Sequence, residues 1–315
     1  MAAVWIWPPV VTPAALPPSG PAGGQLSGTY PNPNVVGITE TGGPTALAIK
    51  SIADGELLIR LGATVDGILP SALPARLPIG YVYGLPLTRV NANEVSMGDG
   101  TARSSDDTTD IVSLADDISI DITVVGAPNG LDAGAEAAST WYAIHLIDGA
   151  AVSTAGLFSL SATAPTLPTG YTVFRRIGWI LNNAASNFAL GTWYGSGEDR
   201  RFVYSGEDFS ATTILLGGSA PGYTAVNAAT FVPPTSREIT LGAFFNATAA
   251  ADIAELRQTG TAVADNSSTI RFQSDDTGIH SWQVDVTSNA SQQIDYRVDN
   301  AADLDLAVYA YQDHL

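Results

Sequence analysis

From about Pro78 to the last residue the chain repeats one pattern. Short runs alternate residue by residue and are bounded by Gly, Pro, Asn and Asp. Ile118, Ile120, Ile122 and Val124 alternate with their neighbours. So do Trp141, Ala143 and His145 against Tyr142, Ile144 and Leu146. The pattern returns in Ile239, Leu241, Ala243 and Phe245, in Trp282, Val284 and Val286, in Ile294, Tyr296 and Val298, and in Leu304, Leu306 and Val308. A period of two is that of an extended strand, whose side chains point alternately to opposite faces. Helical periodicity is scarce, and the best helix candidate is the short run TAAADIAELRQ at 248–258. Many short strands with regular turn signals predict an all-β fold, with a β-sandwich or jelly-roll-like domain over 78–315.

The first 77 residues read differently. Residues 1–22 are proline-rich and predict an extended, partly polyproline II segment with no core of its own. Trp5, Ile6 and Trp7 have nothing local to pack on, so they are candidates for a docking peptide that buries both indoles in a partner. GGQLSGTYPNPNVVG at 23–37 follows. Its glycines favour a turn, Tyr30 and Asn32 each precede a proline, and Pro31 and Pro33 lack amide donors. The expectation is a glycine turn leading into a short rigid rod. Beyond it, a strand is expected at 57–61 and a turn at 62–67. The organisation is therefore an anchor peptide at 1–22, a fibre-like shaft or linker at 23–77, and a distal β domain at 78–315.

Composition removes several function classes. The net charge is -18, and the 13 basic residues form only two adjacent pairs, Arg175-Arg176 and Arg200-Arg201. Binding phosphates needs clustered cations, so a nucleic-acid partner is not expected. There is no cysteine, which excludes disulfides and thiolate chemistry. No run approaches the roughly 20 apolar residues of a membrane span, and the first nine residues lack a basic region before an apolar one. Membrane insertion is not expected, and synthesis in a cytoplasm is.

Two stretches resemble known proteins. Gly23, Gly24, Leu26, Ser27, Gly28, Tyr30, Pro31, Asn32, Pro33 and Val35 resemble a short motif that recurs in fibre and other virion proteins of tailed bacteriophages, with Gln25 where an Asp is common. TWYAIHLI at 140–147, followed by SATAPTLPTGYTVFRRIGWI at 161–180, resembles a domain found in many phage structural proteins. Together they cover about a third of the chain. The resemblance implies a non-enzymatic virion component, a homotrimeric fibre or spike docked by its N-terminus on other virion proteins (tail, portal-proximal or capsid). Its distal domain would mediate host adhesion, with a host surface glycan as a candidate ligand. It implies assembly in the host cytoplasm and residence in the virion. A head fibre or capsid decoration protein is the alternative, and a glycan depolymerase is a third reading.

No cofactor or metal site is expected: His145, His280 and His314 lack helical metal-ligand spacing. Asp106, Asp107, Asp110, Asp116 and Asp117 form acidic stretches that do not match an EF-hand, and read as solvated loops. The serine-hydrolase elbow and phosphate-binding glycine loops are absent from the sequence, so no catalytic residues are assigned. An echo, Ser-Gly-Glu-Asp after an aromatic, places Glu198 and Asp199, then Glu207 and Asp208, as carboxylate pairs of the kind glycosidases use. Two acidic turns flanking a strand from Arg201 to Tyr204 explain it without catalysis. Trp193, Tyr194 and Tyr204 beside these turns are candidates for stacking on a glycan, against the alternative of core or trimer-interface residues.

Overall fold

The computed structural model describes residues 77–315, apart from 115–116, 206–208 and 262–269, and the backbone of six short strands earlier in the chain. The chain divides into two compact units, Met1–Ala75 and Arg76–Leu315. Strand content is 53% and helix content 1% among the described residues, so the fold is all-β.

In the first unit, β1 (Leu26–Ser27) pairs antiparallel with β2 (Asn34–Val35), Leu26 opposite Val35. The residues between them, on which the expected rod falls, lie outside the described residues. The paired residues all keep an amide hydrogen, while Pro31 and Pro33 lie between them in sequence. Next come β3 (Ile38–Thr39), β4 (Ala46–Ile49), β5 (Leu57–Leu61) and β6 (Thr64–Ile68). They form one sheet in the order β3-β4-β6-β5, with β4 and β6 parallel. The strand expected at 57–61 is β5. The turn expected at 62–67 is a strand from Thr64 onward, where Thr64 and Val65 pair back on Leu61 and Arg60. Gly62 and Gly67 signalled a turn, but the β-branched residues around Val65 favour the sheet. Trp5, Ile6 and Trp7, and Gly23, Gly24, Gly28, Tyr30, Pro31, Asn32 and Pro33, lie outside the described residues.

The second unit opens with β7 (Val82–Gly84), β8 (Leu87–Arg89), β9 (Glu94–Met97), β10 (Gly100–Arg103), β11 (Asp110–Ser113) and β12 (Ile118–Asp121). These make two three-stranded antiparallel sheets, β11-β10-β7 and β12-β9-β8. Then β13 (Gly130–Leu131), β14 (Thr140–Asp148), β15 (Ala155–Ser159) and β16 (Val173–Asn182) form the sheet β13-β15-β14-β16. Alternation in β14 predicts one buried face, yet every residue from Tyr142 to Ile147 is buried. This strand is covered on both faces: Tyr142, Ile144 and Leu146 join the main core, while Ile147 joins a smaller cluster with Ala155 and Leu157.

The remaining strands are β17 (Gly191–Tyr194), β18 (Asp199–Tyr204), β19 (Thr213–Gly218), β20 (Thr224–Asn227), β21 (Glu238–Ala247), β22 (Ile253–Gln258), β23 (Ile270–Gln273), β24 (Gly278–Thr287), β25 (Gln293–Val298) and β26 (Asp303–His314). One sheet has the order β17-β18-β26-β21-β24, with β19 also on β26; the other is β20-β25-β22-β23. The run expected as a helix is instead a turn followed by β22. Ala, Leu, Glu and Arg favour a helix locally. Here Asp252 accepts hydrogen bonds from the Thr248 and Ala249 amides, both at 2.8 Å, and Ala251 takes a positive φ of 69°. β22 then pairs with β23 on one side and β25 on the other. Tertiary pairing outweighs the propensity.

The centre of the unit is an aromatic layer between the β14–β16 sheet and the β26 sheet. Tyr311 stacks on Phe202 at 5.5 Å and meets Trp141 edge-on at 5.5 Å. Its hydroxyl donates to the Trp179 carbonyl at 3.1 Å. Phe202 also packs on Trp193 at 4.8 Å and on Tyr204 at 5.1 Å. The arrangement is sandwich-like, two sheets facing each other across large side chains. Tyr311→Phe should cost about 1–2 kcal/mol through the lost hydrogen bond, and Tyr311→Ala about 3–5 kcal/mol through the cavity. Chemical denaturation checks both, and equal losses in the two variants would show that the ring is not the support described here.

Candidate functional site

Of the three aromatics expected at a glycan, two belong to the core. Trp193 is 9% exposed against Phe202, and the Tyr204 hydroxyl donates to the Phe231 carbonyl at 2.7 Å. Only Tyr194 is on the surface, at 56% exposure. Consecutive strand residues face opposite sides, so once Trp193 enters the aromatic layer Tyr194 must leave it. A stacking platform of all three residues does not exist.

The acidic residues are largely engaged in local structure. The Arg103 guanidinium donates to Asp107 at 2.6 Å and to Asp110 at 2.7 Å, which raises its own pKa. Asp106 accepts from the hydroxyls of Ser104 at 2.6 Å and Thr108 at 2.8 Å, which hold its carboxyl below the usual range. Asp117 is exposed, and Asp116 lies outside the described residues. In the Ser-Gly-Glu-Asp echo, Glu198 sits in the bend before β18 and Asp199 opens that strand; Glu207 and Asp208 lie outside the described residues. Asp199 bonds His314 Nδ1 at 2.6 Å, with Glu238 3.5 Å from its Nε2. These carboxylates raise the His314 pKa, Asp199 first.

The other histidines are structural in their surroundings. His280 stacks on Trp282 at 5.7 Å and lies 3.2 Å from Asp276. Asp275, Asp276 and His280 gather possible ligand atoms, but both carboxylates are solvent-exposed and no desolvated coordination shell surrounds them. His145 is fully buried; its Nε2 is 3.0 Å from the Ser161 carbonyl and its Nδ1 has no hydrogen-bond partner.

Two concavities lie on the outer side of β21, β24 and β26. The inner side of β21 carries Ile239, Leu241, Ala243 and Phe245, all buried. Its outer side carries Thr240, Gly242 and Phe244, opposite Asp285, Gln283 and Ser281 of β24. On β26 the register slips: Leu241 pairs with Val308 and Thr240 with Ala310. Tyr309 is the extra residue of a bulge and turns outward, 46% exposed. A cavity of about 270 Å³ opens between Phe244, Tyr309, Gln283 and Gly242. Beside it, a second of about 150 Å³ is lined by Arg201, Glu238, Thr240, Asp285 and Gln312. Arg201 donates to the Thr240 hydroxyl at 3.0 Å, and that hydroxyl donates to Asp285 at 2.5 Å. Sequence reasoning passed over Phe244 and Tyr309. The alternation of β21 does place Phe244 opposite the core side, whereas nothing in the sequence marks the bulge that exposes Tyr309.

Comparison with known proteins finds no family model that matches this chain and no similar curated protein.

His145 supplies a pH signature. Burial pushes its imidazole down from 6.5 to about 4, with Arg176 adding to the effect and the Ser161 carbonyl opposing it. Between these values the unfolded chain binds a proton that the folded chain does not, so stability falls as pH falls through this window. The gap between 6.5 and about 4 corresponds to roughly 3 kcal/mol. His145→Gln removes the titration, so urea melts of variant and wild type should show a shallower loss in the variant over this range. Identical slopes would mean that His145 does not set it.

Proposed function

We propose that this chain is a non-enzymatic structural protein of a tailed-bacteriophage particle. It forms a homotrimeric fibre or spike, held to the particle through residues 1–22, and its second unit meets the host surface. The phage-type motif at 23–35, placed ahead of an acidic all-β unit, carries this reading. A further point supports it: the two stretches of the second resemblance end in β14 and β16, which pair from Thr140↔Asn182 to Asp148↔Val173 and so belong to one module. The scarcity of cations and the net charge of -18 fit a protein that avoids nucleic acid.

The same motifs accompany head fibres and capsid decoration proteins, so the attachment point is set by experiment. Protein labelled and located on intact particles by electron microscopy should lie on the tail; label over the capsid shell selects the head-fibre form. Deleting residues 1–22 should leave a folded oligomer that no longer joins particles. Sedimentation equilibrium at micromolar concentration should give a three-chain mass. Normal incorporation of the truncated chain overturns the docking role, and a monomer overturns the fibre.

A further inference from the structure

Three strands meet around one imidazole at the end of β26. The order β18-β26-β21 puts β26 in the middle, with Asp199 directly opposite His314 and with Arg201 and Glu238 both opposite Gln312. Tyr311 and Asp313 are buried, so Gln312 and His314 point to the outer side of the sheet. Asp199, Arg201 and Glu238 share that side through the same pairing. His314 bonds Asp199 through Nδ1 at 2.6 Å and has Glu238 3.5 Å from Nε2. Each carboxylate thus meets a different ring nitrogen, and each comes from a different neighbour of β26.

A neutral imidazole carries one N–H and one lone pair, so it can donate to only one of the two carboxylates. Its other nitrogen then turns a lone pair towards a negative charge. Only the imidazolium serves both. We propose that His314 is a proton-operated latch. Protonated, it ties the end of β26 to β18 and β21 at once; neutral, it releases one of them. The other charged groups around it do not replace the proton. Arg201 donates to the Thr240 hydroxyl at 3.0 Å, and Arg237 donates to the Pro234 and Ser236 carbonyls. Arg176 donates to the His314 carbonyl at 3.2 Å and pairs with Asp313 on the inner side. Asp285, one strand further out and bonded to Thr240, adds negative charge to the same side. Glu198 contributes its carbonyl, which accepts from the Leu315 amide at 2.9 Å.

The hydrogen bond to Asp199, with Glu238 adding to it, raises the His314 pKa above its ordinary 6.5. The folded chain holds this proton more tightly than the unfolded one. The latch is therefore fully closed below 6.5 and opens as pH rises through the raised value. His145 acts in the opposite sense, since its burial destabilises the fold as pH falls from 6.5 towards about 4.

Exchange of the imidazole C2 proton in the full chain, followed by mass spectrometry, reads the midpoint of each histidine. His314 should titrate above 6.5. Asp199→Asn and Glu238→Gln should each lower its midpoint, while Asp276→Asn, beside His280, should leave it unchanged. Backbone amide exchange over 308–315, corrected for intrinsic rates, should show protection falling about threefold as pH passes that midpoint. His314→Gln should abolish this step. All three side chains of the latch are more than half exposed, so their variants keep the core intact, and thermal melts check this. The proposal is overturned by a His314 midpoint at or below 6.5, or by the same protection step in His314→Gln. It is also overturned if either carboxylate variant leaves the midpoint unmoved, since the imidazole then joins β26 to one strand alone.

Discussion

The second unit depends on the way β26 crosses its own bulge. Leu304, Leu306 and Val308 point into the core on even positions; beyond the slip at Tyr309, Tyr311 and Asp313 point inward on odd ones. Without that change of parity Tyr311 would face solvent and the aromatic layer would lose its middle ring. β26 also pairs with β18, β19 and β21, so one strand holds three neighbours and supplies the residue that joins the opposing sheet. Because these contacts link residues far apart in sequence, the core is complete only when the final strand is in place.

Few cations serve a chain this acidic, and many of them work inside it. Arg200 is buried and donates to the carbonyls of Leu85 at 2.8 Å and Gly84 at 2.7 Å, tying β18 to the first small sheets. Burial lowers its pKa to about 10, which leaves it charged at neutral pH. Arg176 of β16 pairs with buried Asp313 of β26, and Thr235 donates to the same carboxylate at 2.7 Å. Arg297 pairs with buried Glu255, and Tyr223 donates to that carboxylate at 2.7 Å. With guanidinium groups turned inward, the outer surface is left more acidic than the composition alone implies.

Local patterning made much of the strand content legible. The alternating runs at 239–245, 282–286, 294–298 and 304–308 all lie within strands, because a period of two has a single geometric meaning. What failed did so for identifiable reasons. The run at 248–258 has helical composition, but hydrogen bonds to Asp252 and pairing on both sides of β22 override it. Trp193 and Tyr204 looked like surface aromatics because composition does not say which side of a strand faces the core. The outer cavity was least legible: Phe244 is one ring among many in the sequence, and Tyr309 lies where simple alternation continues undisturbed.

The amino-acid sequence by itself determined the all-β class, the shortage of cations and the break between a proline-rich beginning and a strand-rich remainder. These follow from side-chain period, charge and backbone chemistry, which act within a few residues. Only the tertiary structure decided which faces are inner and outer, where β26 slips, and which rings meet in the core or are left beside an outer cavity. Those outcomes depend on register between strands more than a hundred residues apart, as β18 and β26 are, and a slip of one residue reverses every face it touches.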